Sequence, residues 1–485
     1  MITPELIEQL RRLLPEAVSI DPVDLKLHSG NTFYISSSPP DVICYPKTVD
    51  DVLKIIDFCI INKIPVIPYG SGTSVEGHTA AIYGGICLDM KKMNTILEVN
   101  LEDSYVRVQP GIPYNELNAA LATYGFHFPV EAGWGASIGG MVATNASGAG
   151  ATDAGAMSKN VRSCEVVVYK HGKAAKVTTG TTSTKSSAGY NLTNLFVGSE
   201  GTLGVITEIT LQIRKNFPVH HTICCQFNEI SQAINFVTSM KGIVQFRRAE
   251  LMDKLQTEAC LKFSGVPGLE KDKHTIIVEI AGNIGSVEEQ IALLHTYLLT
   301  HEAINITTFE SMHAAANIWM MRKNACLAAI QLIDSSKKAM ATDISVPTSK
   351  LFNCILACYE HMQTLKLRAP LVAHVGDGNF HFTLIIDPSN SEELRLATEF
   401  NTRIVGEALK FGGTCTGEHG IGLGKIAHLH KQHADTIFLM EGIKCILDPE
   451  NIFNPGKIVP LKKKFFFEPK HPDGFFSIAH GRPKL

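Results

Sequence analysis

Residues 64–74 read Ile64-Pro65-Val66-Ile67-Pro68-Tyr69-Gly70-Ser71-Gly72-Thr73-Ser74. The opening run, β-branched between prolines, reads as a short buried strand, and the remainder as a glycine turn. Glycines at 70 and 72 let successive backbone N–H groups aim at one spot, an anion nest to which Ser71, Thr73 and Ser74 add hydroxyl donors. An ordinary Gly/Ser turn is the bland reading of the same residues. A nicotinamide-type dinucleotide fingerprint fits poorly. Val75 stands where its third glycine belongs, and TSVEGHTAAIYGG lacks a helical apolar pattern, so phosphates would find no helix N-terminus. Gly424-Lys425 followed by Ile426 likewise fails the Walker pattern.

Outward from this turn, short β-rich runs alternate with helical stretches. Thr48 can cap a helix over VDDVLKIIDFCIINK, with Val49, Leu53, Ile56 and Ile60 on one face. GGICLDM, TILEV and YVRVQ read as strands, and VRSCEVVVYK with KAAKVTT as a hairpin about His171-Gly172. After residue 216 the rhythm changes: TICCQF, IVQFRRAEL, TIIVEIAG and INITTFE are strands separated by helices such as SVEEQIALLHTYLLT. LVAHVGDGNFHFTLII (371–386) reads as two strands about a Gly-Asp-Gly turn. The expected division is a first domain over 1–216, a second α+β domain over 217–425, a helical segment over 426–460 that returns to the first, and an aperiodic tail over 461–485.

Composition sets the class. Of 485 residues, 45% are hydrophobic and 19% charged, so bulk disorder is excluded and more than one core is expected. A formal charge of −3 argues against a nucleic-acid binder. Twelve scattered cysteines without a CxxC pair suit a reducing compartment rather than a disulfide framework or a zinc ribbon. No apolar run is long enough for an ordinary transmembrane helix. The amphipathic start carries Glu5, Glu8 and Glu16, a poor mitochondrial presequence, while Pro483-Lys484-Leu485 is close to a peroxisomal address. A peroxisomal or cytoplasmic location is therefore expected.

Two further glycine-rich stretches accompany the first. GWGASIGGMVATNASGAG (133–150) offers a surface of small side chains on which a flat group could lie, with Asn145 contributing an amide; tight helix packing explains it equally well. Gly198-Ser199-Glu200-Gly201-Thr202-Leu203-Gly204 precedes the strand VITEITLQI. Three such stretches in one domain are hard to obtain by accident. Together with HVGDGNFHF, GTCTGEHGIG and NIFNPGK, in order from about residue 38 to 460, they resemble the D-lactate dehydrogenase/glycolate oxidase branch of the vanillyl-alcohol oxidase superfamily. That resemblance implies a two-domain α+β flavoprotein, an FAD-binding domain under an antiparallel-sheet cap with helices. It implies FAD held by Pro68, Tyr69 and the Gly70–Ser74 loop at the pyrophosphate, and by Ser137, Gly140, Asn145 and Gly148 along the flavin. Gly204 and Ile206 would hold the adenine end, Asn454 would lie near the ring, and Gly133, Gly139 and Glu200 complete the cofactor set. The phosphate loop has no histidine to carry a covalent link, and His78 lies beyond it, so non-covalent FAD is expected.

His374 and His381 flank the turn VGDGNF, and Glu418 sits in Gly417-Glu418-His419-Gly420. Two imidazoles and a carboxylate can hold a divalent metal on one face, although 19 histidines make some close pairs inevitable. In the resemblance these three stand at the metal ligands, for zinc or manganese. His419 stands at the proton acceptor, and Arg322 at the arginine whose planar fork grips the substrate carboxylate. A solvated charge beside Lys323 is the plain alternative for Arg322. Relatives that use D-2-hydroxyglutarate have a lysine just before the segment aligned with Thr342–Pro347; here Met340 and Ala341 stand there, which favours a small monocarboxylate. The expected reaction is oxidation of D-lactate or a close D-2-hydroxy acid to the 2-oxo acid. Glycolate or D-2-hydroxyglutarate is the alternative substrate, and cytochrome, quinone, electron-transfer flavoprotein or oxygen the possible electron acceptor. A flavin-dependent alkylglycerone-phosphate synthase fits less well, because that branch uses consecutive histidines where this chain has only His419. Trp134, Trp319 and Cys415 read as packing.

Overall fold

The computed structural model describes residues 2–29, 33–35, 38–133 and 135–461. Trp134, the tail beyond 461 and the Pro483-Lys484-Leu485 terminus lie outside the described residues.

The first half is built on a four-stranded and a five-stranded sheet, with the short pair Phe126–His127 and Arg214–Lys215 beside them. In the four-stranded one, Val42–Cys44 and Val66–Tyr69 both pair in parallel with Ile86–Asp89. A parallel pair needs a covered crossover, and the helix Val49–Asn62 supplies it. Thr48 and Asp51 close a capping box at its start. Its fully buried stripe is Val52, Ile55, Ile56 and Cys59, whereas Val49 and Leu53 are only partly buried at the margin. The expected face was therefore rotated: Ile56 and Ile60 are buried, but the stripe is centred on the pattern 52/55/56/59. The five-stranded antiparallel sheet runs Ile96–Asn100, Tyr105–Val108, Val205–Gln212, Val161–Lys170, Lys173–Gly180. Its hairpin turns at His171 (φ 50°) and Gly172 (φ 80°), the double left-handed geometry that matches strand twist.

The second half is an eight-stranded antiparallel sheet, ordered Ile304–Phe309, Val219–Phe227, His274–Gly282, Phe246–Met252, Leu371–His374, Asn379–Ile386, Lys338–Ala341, with Ile344–Ser345 also on Asn379–Ile386. Period-two alternation decides what each face carries. Ile223, Cys225, Leu251, Ala373, Phe380 and Phe382 enter the large core under the helices Ile230–Ser239, Ile284–Thr300, Leu351–Thr364 and Ser391–Lys410. Their neighbours Cys224, Met252, Ile277 and Val372 face the opposite way, under Lys254–Ser264, Ala316–Lys323 and Ala325–Ile333. Arg248, Glu250, His374 and His381 share the parity of that second face, beneath the helix that bears Arg322.

The chain then returns to its beginning. After the helix Ile437–Leu447, Val66 N–H donates to Ile452 O (2.8 Å) and Asn454 N–H to Val66 O (2.8 Å). Lys444, buried, donates to Thr202 O (2.7 Å), Phe453 O (2.8 Å) and the Asp448 carboxylate, which fastens the returning segment.

Two buried histidines make the fold acid-sensitive. Burial, reinforced by Lys254, lowers His274 to about 4, and burial with Lys425 and Lys431 lowers His428 to about 4. The folded state thus binds their protons less tightly than the unfolded chain, whose imidazoles titrate near 6.5. Stability should be complete above pH 6.5 and fall as pH drops towards 4, by up to about 3 kcal/mol for each group. Urea midpoints between pH 7 and pH 4.5 check this, and His274→Gln should flatten the curve in that window.

Candidate active site

A cavity of about 600 Å³ lies between the two halves. Its floor is the loop 68–74, residues drawn from 131–133, 136–144, 146–149 and 200–206, and Asn454; its roof comes from Arg248, Glu250, Trp319, Arg322, His374, Glu418 and His419. The floor is bare backbone for local reasons. Gly70 packs on Ser137 so closely that an added Cβ would overlap the hydroxyl, and Gly148, at φ 146°, likewise abuts the carbonyl of Glu131. Ser137 caps the helix Ile138–Thr144 by accepting from Gly140 N–H (3.4 Å). His78, only 5% exposed, lines the same space with both ring nitrogens outside hydrogen-bonding geometry, although Glu200 Oε1 lies 3.3 Å from Nε2. A mostly apolar cavity with bare backbone in its floor and an imidazole without a hydrogen bond fits a dinucleotide.

The expected residues distribute as follows. All of 68–74, with Gly133, Ser137, Gly139, Gly140, Gly148, Glu200, Gly204, Ile206 and Asn454, line the cavity. Asn145 does not. It ends the helix in the left-handed conformation (φ 49°) and its Oδ1 accepts from Ser158 N–H (2.9 Å), so its amide serves the backbone. Glu200 reaches the cavity wall, but its carboxylate accepts from Ile421 N–H (2.6 Å) and Gly422 N–H (2.8 Å). Asn454 Nδ2 donates to His78 O (3.0 Å) and Glu200 O (2.8 Å).

At the roof, His374 Nε2 and His381 Nε2 lie 3.4 and 3.1 Å from Glu418 Oε1. The three can place one ligand atom each within 4.8 Å of one another. Their other nitrogens fix the tautomers. His381 Nδ1 faces the carbonyl of Thr342 (2.8 Å), which can only accept, and His374 Nδ1 faces the Glu250 carboxylate (2.7 Å). With protons on both Nδ1 atoms, both Nε2 atoms are directed at Glu418, and they would meet it acceptor against acceptor unless a cation or a further proton lay between. Burial depresses His374, but Glu250 and Glu418 outweigh it and hold the ring well above the usual imidazole range. Glu418 shows the converse: burial raises it, and His374 and His381 pull it well below the carboxylate range.

His419 stacks on His381 with centroids 4.9 Å apart and planes 16° apart. Burial, against the pull of Asp343, lowers it to about 4, so the ring is neutral, and its buried Nδ1 has no hydrogen-bond partner. Arg322 lines the cavity with Nη2 2.6 Å from Glu250 Oε2. Trp319 also borders it, donating Nε1–H to Thr222 Oγ1 (3.0 Å) and stacking under the Arg248 guanidinium, 3.9 Å from its ring. Cys415 is 1% exposed, and burial pushes its thiol up to about 11, which suits packing.

Two carboxylates escaped the sequence reading. Glu250 joins His374 to Arg322. Asp343 accepts backbone N–H bonds from Gly417 (3.0 Å), Glu418 (3.1 Å) and His419 (2.9 Å), and also binds Thr416 Oγ1 (2.6 Å), Asn379 Nδ2 (2.8 Å) and Lys425 Nζ (3.0 Å). Asp343 lies within Thr342–Pro347, and Lys425 in the stretch that fails the Walker pattern. A buried acid and a buried lysine far apart in sequence gave no local signal.

Comparison with known proteins agrees with this architecture. Residues 40–178 match the FAD binding domain family and residues 218–458 the family of FAD linked oxidases, C-terminal domain. The mitochondrial D-lactate dehydrogenase [cytochrome] of Arabidopsis thaliana is 39% identical over 95% of this chain and 81% of that protein. The probable mitochondrial D-lactate dehydrogenase of Danio rerio is 35% identical over 92% and 90%. Among solved structures, p-cresol methylhydroxylase with substrate bound superposes at a TM-score of 0.76 with 16% identity, covering 95% of this chain and 98% of that one, a likeness of fold. The mitochondrial relatives overturn the peroxisomal and cytoplasmic expectation, which had leaned on a three-residue terminus and an acidic start. Among the described residues no helix is long and apolar enough to cross a membrane.

Asp343→Ala should leave the buried Lys425, among the described residues, with Glu76 (3.6 Å) as its one carboxylate partner and unfasten residues 417–419. A loss of about 3–5 kcal/mol is expected from stranding one partner of a buried pair, read as a lowered urea midpoint. Asp343→Asn, which still accepts hydrogen bonds, should lose less.

Proposed function

The chain belongs to the family of FAD-linked oxidases and is an FAD-dependent hydroxy-acid dehydrogenase, and from that premise we propose that it oxidises D-lactate, or a close D-2-hydroxy acid, at a divalent cation held by His374, His381 and Glu418. One observation carries the metal assignment: two imidazole Nε2 atoms, each with its Nδ1 already tied, converge on one carboxylate at the cavity wall, the donor set of a divalent cation. Zinc and manganese both suit two nitrogens and an oxygen with open positions for substrate. Nearby charges support the same reading: among the described residues Glu250 pairs with Arg322 and Asp343 with Lys425, while the ion-pair partners of Glu418 are histidines.

The chain's own groups divide the work. Arg322 orients the substrate by its carboxylate, using the guanidinium edge that Glu250 leaves available. His419, neutral and with Nδ1 unpaired, accepts the hydroxyl proton. Asp343 holds the backbone that presents Glu418 and His419. When bound, FAD supplies the two-electron acceptor and the cation a Lewis acid for the hydroxyl oxygen. The loop 68–74, with Ser137 and the small residues of 133–149, holds the dinucleotide without a covalent bond. Of the two other lysine and arginine side chains at the cavity among the described residues, Arg248 is committed to Glu279 and to Glu131 (3.4 Å), and the pKa of the Lys323 ammonium is lowered by burial. This favours a monocarboxylate over a dicarboxylate. The location proposed is the mitochondrion and the acceptor a cytochrome, as the Arabidopsis relative's name states for that enzyme.

Anaerobic D-lactate should bleach the flavin, and L-lactate should not. Chelator-treated enzyme that keeps its FAD should lose this bleaching; full bleaching in verified metal-free protein overturns the cation assignment. His419→Ala should slow flavin reduction by about 10²–10⁴-fold. Acid precipitation should release the yellow chromophore into the supernatant.

A further inference from the structure

Glu250 lies in the strand Phe246–Met252, 1% exposed, on the sheet face that also carries His374. One oxygen, Oε1, accepts from His374 Nδ1 (2.7 Å), while Oε2 lies 2.6 Å from Arg322 Nη2. A single carboxylate is thus shared by two groups with separate tasks: an imidazole assigned to the cation and a guanidinium assigned to the substrate's carboxylate. The groups come from different elements, a strand end at 374 and the helix Ala316–Lys323, and Glu250 ties them together within the cavity wall.

We propose that Glu250 is a positioning residue that couples the cation site to the carboxylate-binding arginine, so that the spacing demanded of a substrate, one carbon between hydroxyl and carboxylate, is set by this one side chain. The inference rests on the function proposed above. Its physical content is that one oxygen holds His374 by a hydrogen bond and the other holds Arg322 by an ion pair. On the Oε1 side, the carboxylate keeps the proton on His374 Nδ1 and makes Nε2 a stronger donor to a cation. On the Oε2 side, it occupies one guanidinium nitrogen and turns the remaining N–H groups towards the substrate. Moving either partner strains the other, because the carboxylate is buried and rigid in a central strand. A substrate with its carboxylate one carbon further away therefore loses either the arginine contact or the cation contact.

Glu250→Gln separates the two effects. Its amide oxygen can still accept from His374 Nδ1, but its NH₂ then faces the Arg322 guanidinium, donor against donor. FAD-loaded, metal-depleted enzyme titrated with zinc against a chromophoric chelator should bind zinc roughly 10–100-fold more weakly in the variant. In steady state, KM for D-lactate should rise by about tenfold or more, and saturating zinc should restore kcat but not KM. Discrimination of D-lactate over 3-hydroxybutyrate should narrow in parallel. Glu279→Gln removes an equally buried carboxylate from the same sheet without touching His374 or Arg322, and should leave zinc affinity unchanged. If Glu250→Gln does not fold, Glu250→Asp, which keeps the charge but cannot span both partners, should show the same split. Wild-type zinc affinity and KM in a folded variant overturn the coupling, and so does weaker zinc binding with an unaltered KM, which would confine Glu250 to His374. Wild-type enzyme that binds no zinc or is not reduced by D-lactate instead removes the underlying function, and the coupling with it.

Discussion

The carboxylate of Asp343 is the constraint on which the roof of the site depends. It is fully buried and takes three consecutive backbone N–H groups at 417–419, a nest that would otherwise present unsatisfied donors in the interior. Burial alone would raise its pKa, but Lys425 and the surrounding donors reverse that and hold it well below the carboxylate range. Through Asn379 Nδ2 the same carboxylate reaches the hairpin that carries His374 and His381, and through Lys425 it reaches Glu76 in the first half of the chain. Four stretches remote in sequence therefore meet at one anion, so the placement of Glu418 and His419 follows from it.

Around that anchor the electrostatics are layered. Each imidazole facing Glu418 has its far nitrogen tied, His381 to the Thr342 carbonyl and His374 to Glu250, so neither ring can turn its N–H inward without losing a buried bond. His419, stacked on His381, is denied a charge by burial while its neighbours are held charged or polarised. Adjacent residues thus reach opposite protonation tasks: Glu418 is kept anionic and His419 neutral. That contrast within one dipeptide is what acid–base chemistry at neutral pH requires.

Features encoded locally were legible in the sequence. The strand and glycine turn at 64–74, the hairpin about His171-Gly172 and the strands flanking VGDGNF all depend on neighbours a few residues away, and pattern alone carries them. The helix Val49–Asn62 was legible as a helix, but its buried face was misplaced, because apolar residues on two adjoining faces compete and only the sheet beneath decides between them. Asn145 was read as a cofactor contact because its amide and its glycine-rich company suggest one. Its backbone role as a left-handed helix end is the commoner use of asparagine there. Glu250 and Asp343 left no trace, since their partners lie 124 and some 75 positions away and acids inside strand patterns look like solvent-facing residues.

Glu200 shows how the two halves are kept in register. It belongs to the third glycine-rich stretch of the cofactor floor, yet its carboxylate holds the N–H groups of Ile421 and Gly422, two and three residues beyond His419. Asn454 ties Glu200 O to His78 O on the floor, and Ser147 Oγ donates to Glu418 Oε2 (3.3 Å) from the small-residue stretch. These links cross from floor to roof at the reacting end of the cavity rather than at its periphery. A rotation of one half about a remote hinge would stretch them first. The distance between the floor and His419 is thereby fixed by hydrogen bonds of ordinary length within the site. Bulky side chains at 70 or 148 would disturb that distance by parting the floor's own segments, even before they met a ligand.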